Sequence, residues 1–301
     1  MFYHARCSAG EPTNPVSALI ALTPAESKRL IAKAVAALPE VKRAMEEGLV
    51  IIGRGTTNAF VAEELTGDTF EPKSYYAAGF IVDGELSATA IATLLPVVVF
   101  QNGRRVAMAP PDALREFGEQ DVSIKGASAI DAEGNVAVLA ASPESGTIGG
   151  ILPTILARRS YLIVPVGLEK LVPSVPQACA ATGVFHFTYS TGLPVALVPM
   201  PNALAVTEIQ AFAVLTGAKA IAIAGGGIAG SEGTTVLSLT GEAGQIEAAM
   251  SVVRAIKGEP PVGRPSSRVT PAAASLAYDA MAQWKMQAAD AKWHVPAGIP
   301  R

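Results

Sequence analysis

The sequence predicts an α/β fold, and three observations carry that prediction. Several apolar runs are continuous rather than alternating, as in strands covered on both faces. Helical patterns lie between some of them. One run, Leu49–Ile52, passes through Gly53-Arg54-Gly55-Thr56-Thr57 into a further helical pattern, a strand, tight turn and helix in sequence.

Residues 1–22 read as an arm rich in small residues. Thr23-Pro24-Ala25-Glu26 is a capping box with proline at the first helical position, and Leu30, Ile31, Ala34, Val35 and Leu38 follow at helical spacing. A second helical pattern after Pro39 leads into the strand at Leu49. Further strands are predicted at Gly79–Val82, Pro96–Phe100, Val122–Ile124, Asn135–Leu139 and Tyr161–Val166. From Gly192 the pattern becomes strand (Pro194–Pro199), helix (Val206–Leu215), strand (Ala218–Ala224), strand (Thr234–Thr240), helix (Gln245–Lys257). That order suggests a small ferredoxin-like α+β domain. Three parts are therefore expected: a main α/β domain over 1–191, the small domain over 192–258, and a linker with a C-terminal helix (Ala272–Lys292) over 259–301.

Composition narrows the partners. The 301 residues carry a net charge of -3 and no basic block, which argues against nucleic acid. The longest apolar stretch, Ala90–Phe100, contains Pro96 and is too short for a bilayer, so no membrane contact is expected. Met1–Pro15 has no apolar secretory core, and Cys7 and Cys179 make no disulfide framework, so the expected compartment is the cytoplasm. His4, His186 and His294 share no ligand spacing; neither a metal nor a cofactor is expected. Only 16% of residues are charged, which predicts surface buried between subunits of a homo-oligomer.

Chemistry concentrates in a few places. Gly53, Arg54, Gly55, Thr56, Thr57 and Asn58 form a strand-to-helix turn whose N–H groups and helix dipole favour an anion, phosphate or carboxylate. Within it, Arg54 is suited to a bidentate clamp or points to solvent, and Asn58 donates to a ligand or caps the helix. Lys125, at a strand end, suits anion binding or acid–base work, or is a solvated surface lysine. Glu144 is the best free carboxylate for a general base or a nucleophile, in a loop continuing through Ser145, Gly146 and Thr147 as a second glycine-rich turn. Asp131 frames a turn with Asn135, and Gly225–Gly233 reads as a hairpin loop. Tyr75 and Tyr76 read as packing.

The order of four motifs resembles the ribose-5-phosphate isomerase A family, within the fold shared with coenzyme A transferases. Ile52-Gly53-Arg54-Gly55-Thr56-Thr57 is similar to its phosphate loop. Asp121-Val122-Ser123-Ile124-Lys125-Gly126-Ala127-Ser128-Ala129-Ile130-Asp131 is similar to its Asp-Gly-Ala-Asp segment. Tyr161–Val164 followed by Glu169-Lys170-Leu171-Val172 is similar to its Ser-Lys-Leu-Val turn. Leu193-Pro194-Val195-Ala196-Leu197-Val198-Pro199 is similar to its entry into the small domain.

The resemblance implies a Rossmann-like sheet with a ferredoxin-like appendage, and an enzyme acting on a small anionic metabolite by phosphosugar isomerase-like proton transfer. Glu144, Lys125 and Asp131 would then be the catalytic candidates, with Ser145, Gly146 and Thr147 helping to bind the anion. The chain departs from the family where catalysis resides: Lys125 and Ser128 replace its two aspartates, and no Arg-Glu-Lys segment follows. Two other readings stay open. One is acyl or coenzyme A transfer with Glu144 as nucleophile, and the other is a non-catalytic metabolite-binding protein.

Overall fold

The computed structural model describes residues 1–5, 12–265 and 268–269. Strand β1 (Val16–Leu22) is followed by helices α1 (Pro24–Ala37) and α2 (Pro39–Glu47). The predicted capping box opens α1: the Glu26 amide donates to Thr23 Oγ1, and the Thr23 N–H donates to the Glu26 carboxylate. Next come β2 (Leu49–Ile52), α3 (Thr56–Thr66), β3 (Gly79–Val82), β4 (Glu85–Thr89), β5 (Val98–Gln101), β6 (Arg104–Val106) and α4 (Pro110–Glu116). The central part holds β7 (Val122–Ile124), β8 (Ala129–Ile130), β9 (Val136–Ala140), α5 (Gly146–Arg158), β10 (Tyr161–Pro165) and α6 (Val175–Ala180). The remainder holds β11 (Ala196–Pro199), β12 (Leu204–Val206), α7 (Glu208–Thr216), β13 (Lys219–Gly226), β14 (Thr234–Gly241), α8 (Ala243–Ile256) and β15 (Arg268–Val269).

This is a mixed α/β protein organised by a six-stranded sheet of order β12-β10-β7-β2-β5-β6. The first four strands are parallel, so the carboxyl ends of β12, β10, β7 and β2 open on one edge; β5 runs the other way, and β6, antiparallel to β5, returns to the direction of the first four. The continuous apolar runs follow from burial on both faces. Side chains alternate across a strand. Val50 and Ile52 of β2 therefore join a core with Leu30 and Ile31 of α1, Phe60 of α3 and Phe212 of α7. Leu49 and Ile51 join the opposite core with Leu114 of α4 and Ile148, Ile151 and Ile155 of α5. No helix among the described residues is long and apolar enough to cross a membrane.

Two expectations are corrected. Val16–Leu22 is a strand rather than part of an arm, antiparallel to β14 from Val16 opposite Gly241 to Leu22 opposite Thr235. Its inward residues Ala18, Ile20 and Leu22 alternate with Ser17, Leu19 and Ala21, and the exposed Leu19 masks the period-two signal. Residues 192–258 do not close a sheet of their own. Strand β11 pairs with β9, β12 enters the central sheet beside β10, and β13 and β14 complete their sheet with β1. Helices α7 and α8 pack into the same core as α1, because Phe212, Ile246 and Val253 are buried against Leu30 and Val35. The predicted C-terminal helix, Cys7 and His294 lie outside the described residues. Of the predicted linker, Glu259–Pro265 is described and Arg268–Val269 pairs with β4.

Asp121 joins the starts of β2 and β7. Its buried carboxylate accepts from the Leu49 N–H (2.7 Å) and the Gly118 N–H (2.6 Å). A Cβ on Gly48 would stand 2.5 Å from Asp121 Oδ1, so the neighbouring glycine makes room for that carboxylate. Asp121→Ala strands both amides and is expected to cost about 1–3 kcal/mol in urea denaturation. A loss well under 1 kcal/mol would show that these amides find other partners.

Candidate functional site

A cleft of about 1330 Å³ lies over the carboxyl ends of the parallel strands, where such sheets place their ligands. Its walls come from the β2–α3 turn, the segment after β7, the start of α5, the turn after β10 and the β13–β14 hairpin. The segment after α8 adds Glu259, Pro261 and Val262.

Two lysines define its chemistry. Lys125 follows β7, is 8% exposed, and donates from Nζ to the Arg54 carbonyl (3.1 Å). Lys170 follows β10 in a single 3-10 turn (Leu168–Lys170) and donates to the Ala127 carbonyl (2.9 Å). Among the described residues neither ammonium forms an ion pair. Burial, with the Lys170 charge nearby, pulls Lys125 down to about 8. Burial and then the Lys28 charge do the same to Lys170, to about 8, against the opposite pull of Glu169 and Glu208. The third lysine, Lys28, is neutralised: its Nζ meets Glu169 Oε1 at 2.6 Å. Glu208 is fully buried at the start of α7 and accepts from the Leu168 N–H (3.0 Å); burial raises its pKa, and nearby Glu169 adds to the rise.

The β2–α3 turn is built around Lys125. A Cβ on Gly53 would meet Lys125 Cδ at 3.0 Å and the Ile124 carbonyl at 3.3 Å, so glycine lets the lysine stem cross the turn. The Gly53 N–H donates to Ile124 O (2.8 Å) and the Gly55 N–H to Tyr76 O (2.8 Å). These two glycine amides, expected to face a ligand, are already engaged. The remaining donors are those of the first turn of α3, which no side chain caps. Thr57 lines the cleft, and its buried Oγ1 has no hydrogen-bond partner among the described residues. Tyr76 is the packing residue it was expected to be, with a structural hydrogen bond from its hydroxyl to the Ile52 carbonyl (2.6 Å).

The structure brings Arg54, Gly55, Thr56, Thr57, Lys125, Ser145, Gly146 and Thr147 to the cleft walls. Ser145–Thr147 open α5 there instead of lying in a loop, since the helix begins at Gly146. Arg54 is half-buried; its Nε donates to Leu95 O (2.7 Å), and burial lowers its pKa. Gly53 and Asn58 lie beneath the wall. The Asn58 amide donates to Gly53 O (2.6 Å) and Ile124 O (3.1 Å), so it ties the turn to β7 rather than reaching a ligand. Glu144 is exposed and outside the lining, and its carboxylate accepts from Ser142 Oγ (2.9 Å). Asp131 is buried away from the cleft. Burial would raise its pKa, but bonds from Asn135 and the Val175 N–H hold it below the usual range.

Sequence reasoning assigned no role to Lys28, Lys170, Glu169 or Glu208. A signal existed for Glu169-Lys170, which directly follow a strong strand pattern at Tyr161–Val166. Gly230, Glu232 and Gly233 of the β13–β14 hairpin reach the cleft of their own chain, and a Cβ on Gly233 would lie 3.1 Å from Pro24 and 3.4 Å from Glu169. Among the described residues, no group of three or more His, Cys, Asp or Glu is placed to hold a metal. Compared with protein-family models, with curated proteins and with solved structures, the chain matches none.

Proposed function

We propose that the cleft binds a small anionic carbonyl metabolite and moves a proton on it, in the manner of a phosphosugar isomerase. The observation that carries this reading is the pair Lys125 and Lys170, a buried and a half-buried ammonium group without ion-pair partners among the described residues, at the carboxyl ends of adjacent parallel strands. An anion between them supplies the missing counter-charge, and the uncapped first turn of α3 adds donors and a favourable dipole. Two like charges in one desolvated cleft favour having one of the pair neutral near pH 8. With the anion held on the ammonium of the pair, the neutral amine takes a proton from the carbon beside the carbonyl and returns it to the neighbouring carbon. The motif order shared with ribose-5-phosphate isomerase A points the same way, and on this reading the central sheet is of that Rossmann-like type. Acyl transfer through Glu144 gains no support, because that carboxylate stands outside the cleft lining.

The test has two parts. Sulfate stays ionised across the range, so its affinity reports on the lysines alone. It is expected to fall roughly tenfold or more between pH 7 and pH 9.5, as both amines lose their protons. Calorimetry showing a flat profile would remove the lysines from the anion site. In deuterated solvent, ribose 5-phosphate is expected to acquire deuterium at the carbon beside its carbonyl, read by proton NMR. Binding without exchange would make the protein a metabolite-binding protein and end the enzymatic reading.

A further inference from the structure

We propose that the natural ligand is bipartite: an anionic head on Lys125 and Lys170, joined to an apolar body that occupies a second pocket beyond Arg54. The proposal rests on the anion reading above and adds the chemical class of the remainder of the ligand.

The second pocket has a volume of about 850 Å³ and shares Arg54, Gly146 and Thr147 with the lysine cleft, so the two are continuous at that wall. It lies between the starts of α4 and α5, at the same edge of the central sheet. Pro96, Val97, Met108, Pro110, Leu114 and Ile151 make its apolar wall. Such a wall offers little to the hydroxyls of a sugar, which lose free energy when buried without hydrogen bonds. It suits an alkyl or aryl group, which gains from leaving water. Two charged side chains line it. Arg105 is engaged with Asp68 (3.0 Å). Arg54 is pinned at the boundary by its Nε bond to Leu95 O, and it has no ion-pair partner among the described residues. Arg54 therefore stands where the head meets the body, placed to share the anionic charge.

Ligand pockets usually enclose roughly 300–1,000 Å³. The lysine cleft already exceeds that range, so a small phosphosugar needs no further room. A second chamber with an apolar wall, opening from the anion site, has room for an apolar part of the ligand.

Gly150 provides a clean test. It lines only the second pocket, lies within α5, and a Cβ there would have no atom within 4 Å. Gly150→Leu fills the pocket while improving helix propensity. Calorimetry on the full chain would compare inorganic phosphate with 1-naphthyl phosphate. The naphthyl ester is expected to bind at least roughly tenfold tighter than phosphate in the wild type. Gly150→Leu is expected to erase that advantage while phosphate affinity stays at the wild-type value, which also reports that the variant is folded. Phosphate binding with no gain from the naphthyl group would overturn the bipartite ligand and leave the anion site standing. A naphthyl advantage that survives Gly150→Leu would place the apolar body elsewhere and overturn the proposal. Failure of both compounds to bind would overturn the anion reading itself.

Discussion

Lys125→Met is expected to weaken sulfate binding by roughly 10–100-fold while making the protein more stable at pH 7. The first effect follows from losing a charge-assisted hydrogen bond, worth about 1.5–3 kcal/mol. The second follows from linkage. A lysine held at about 8 in the fold and near 10.5 when unfolded binds its proton less tightly in the native state. The unfolded chain then binds more protons between those values, so stability rises with pH across that window. Below pH 8 the full cost is present, about 3 kcal/mol from the shift of this buried group. Met removes that cost but also the bond to the Arg54 carbonyl, so a net gain of about 1–2 kcal/mol is expected in urea denaturation at pH 7. The gain should shrink at pH 10. A variant less stable than the wild type at pH 7 would make Lys125 a structural residue and remove its claim to a binding role.

Arg29→Met is expected to produce the largest loss of stability, about 3–5 kcal/mol. Arg29 on α1 stacks over Phe60 with its guanidinium carbon 4.8 Å from the ring centre. Its Nε meets Glu259 at 2.9 Å, its Nη1 meets Glu64 at 2.9 Å, and its Nη2 bonds both Glu63 and Glu259. Burial opposes the charge, but these carboxylates outweigh it and raise the Arg29 pKa. Removing the arginine leaves Lys73 (3.1 Å) as the cation on the buried Glu63 and strands Glu259. Urea denaturation measures the loss. The double variant Arg29→Met/Glu63→Gln should recover part of it, because one uncompensated carboxylate is then gone. Failure to recover would trace the loss to the Phe60 contact instead. Glu259 lines the cleft, so the single variant also frees that part of its wall.

Several elements were legible from local pattern alone. The α1 cap needed only Thr23, Pro24 and Glu26, because a capping box is closed within one turn. The β2 strand and the turn into α3 needed only an apolar run and two glycines. Lys125 was singled out because it follows a strand, a position that in a parallel sheet faces the ligand edge, and because it falls in the segment similar to the isomerase's Asp-Gly-Ala-Asp. Glu144 drew attention as a loop carboxylate beside glycines, yet loop composition does not determine which way a side chain faces.

Residue types and spacings therefore sufficed for the α/β class, most of the strands and helices among the described residues, and the strand-to-helix turn with its lysine neighbour. They did not determine which strand lies beside which. That β1 completes the β13–β14 sheet, and that β12 enters the central sheet, depends on contacts between residues far apart in sequence. Nor did they show that Lys170 joins Lys125, or that among the described residues both lack ion-pair partners while Lys28 has Glu169. Burial and charge compensation are properties of the assembled surroundings, summed over elements that meet only after folding. Periodicity reports which face of an element is apolar; it carries no information on what that face will meet.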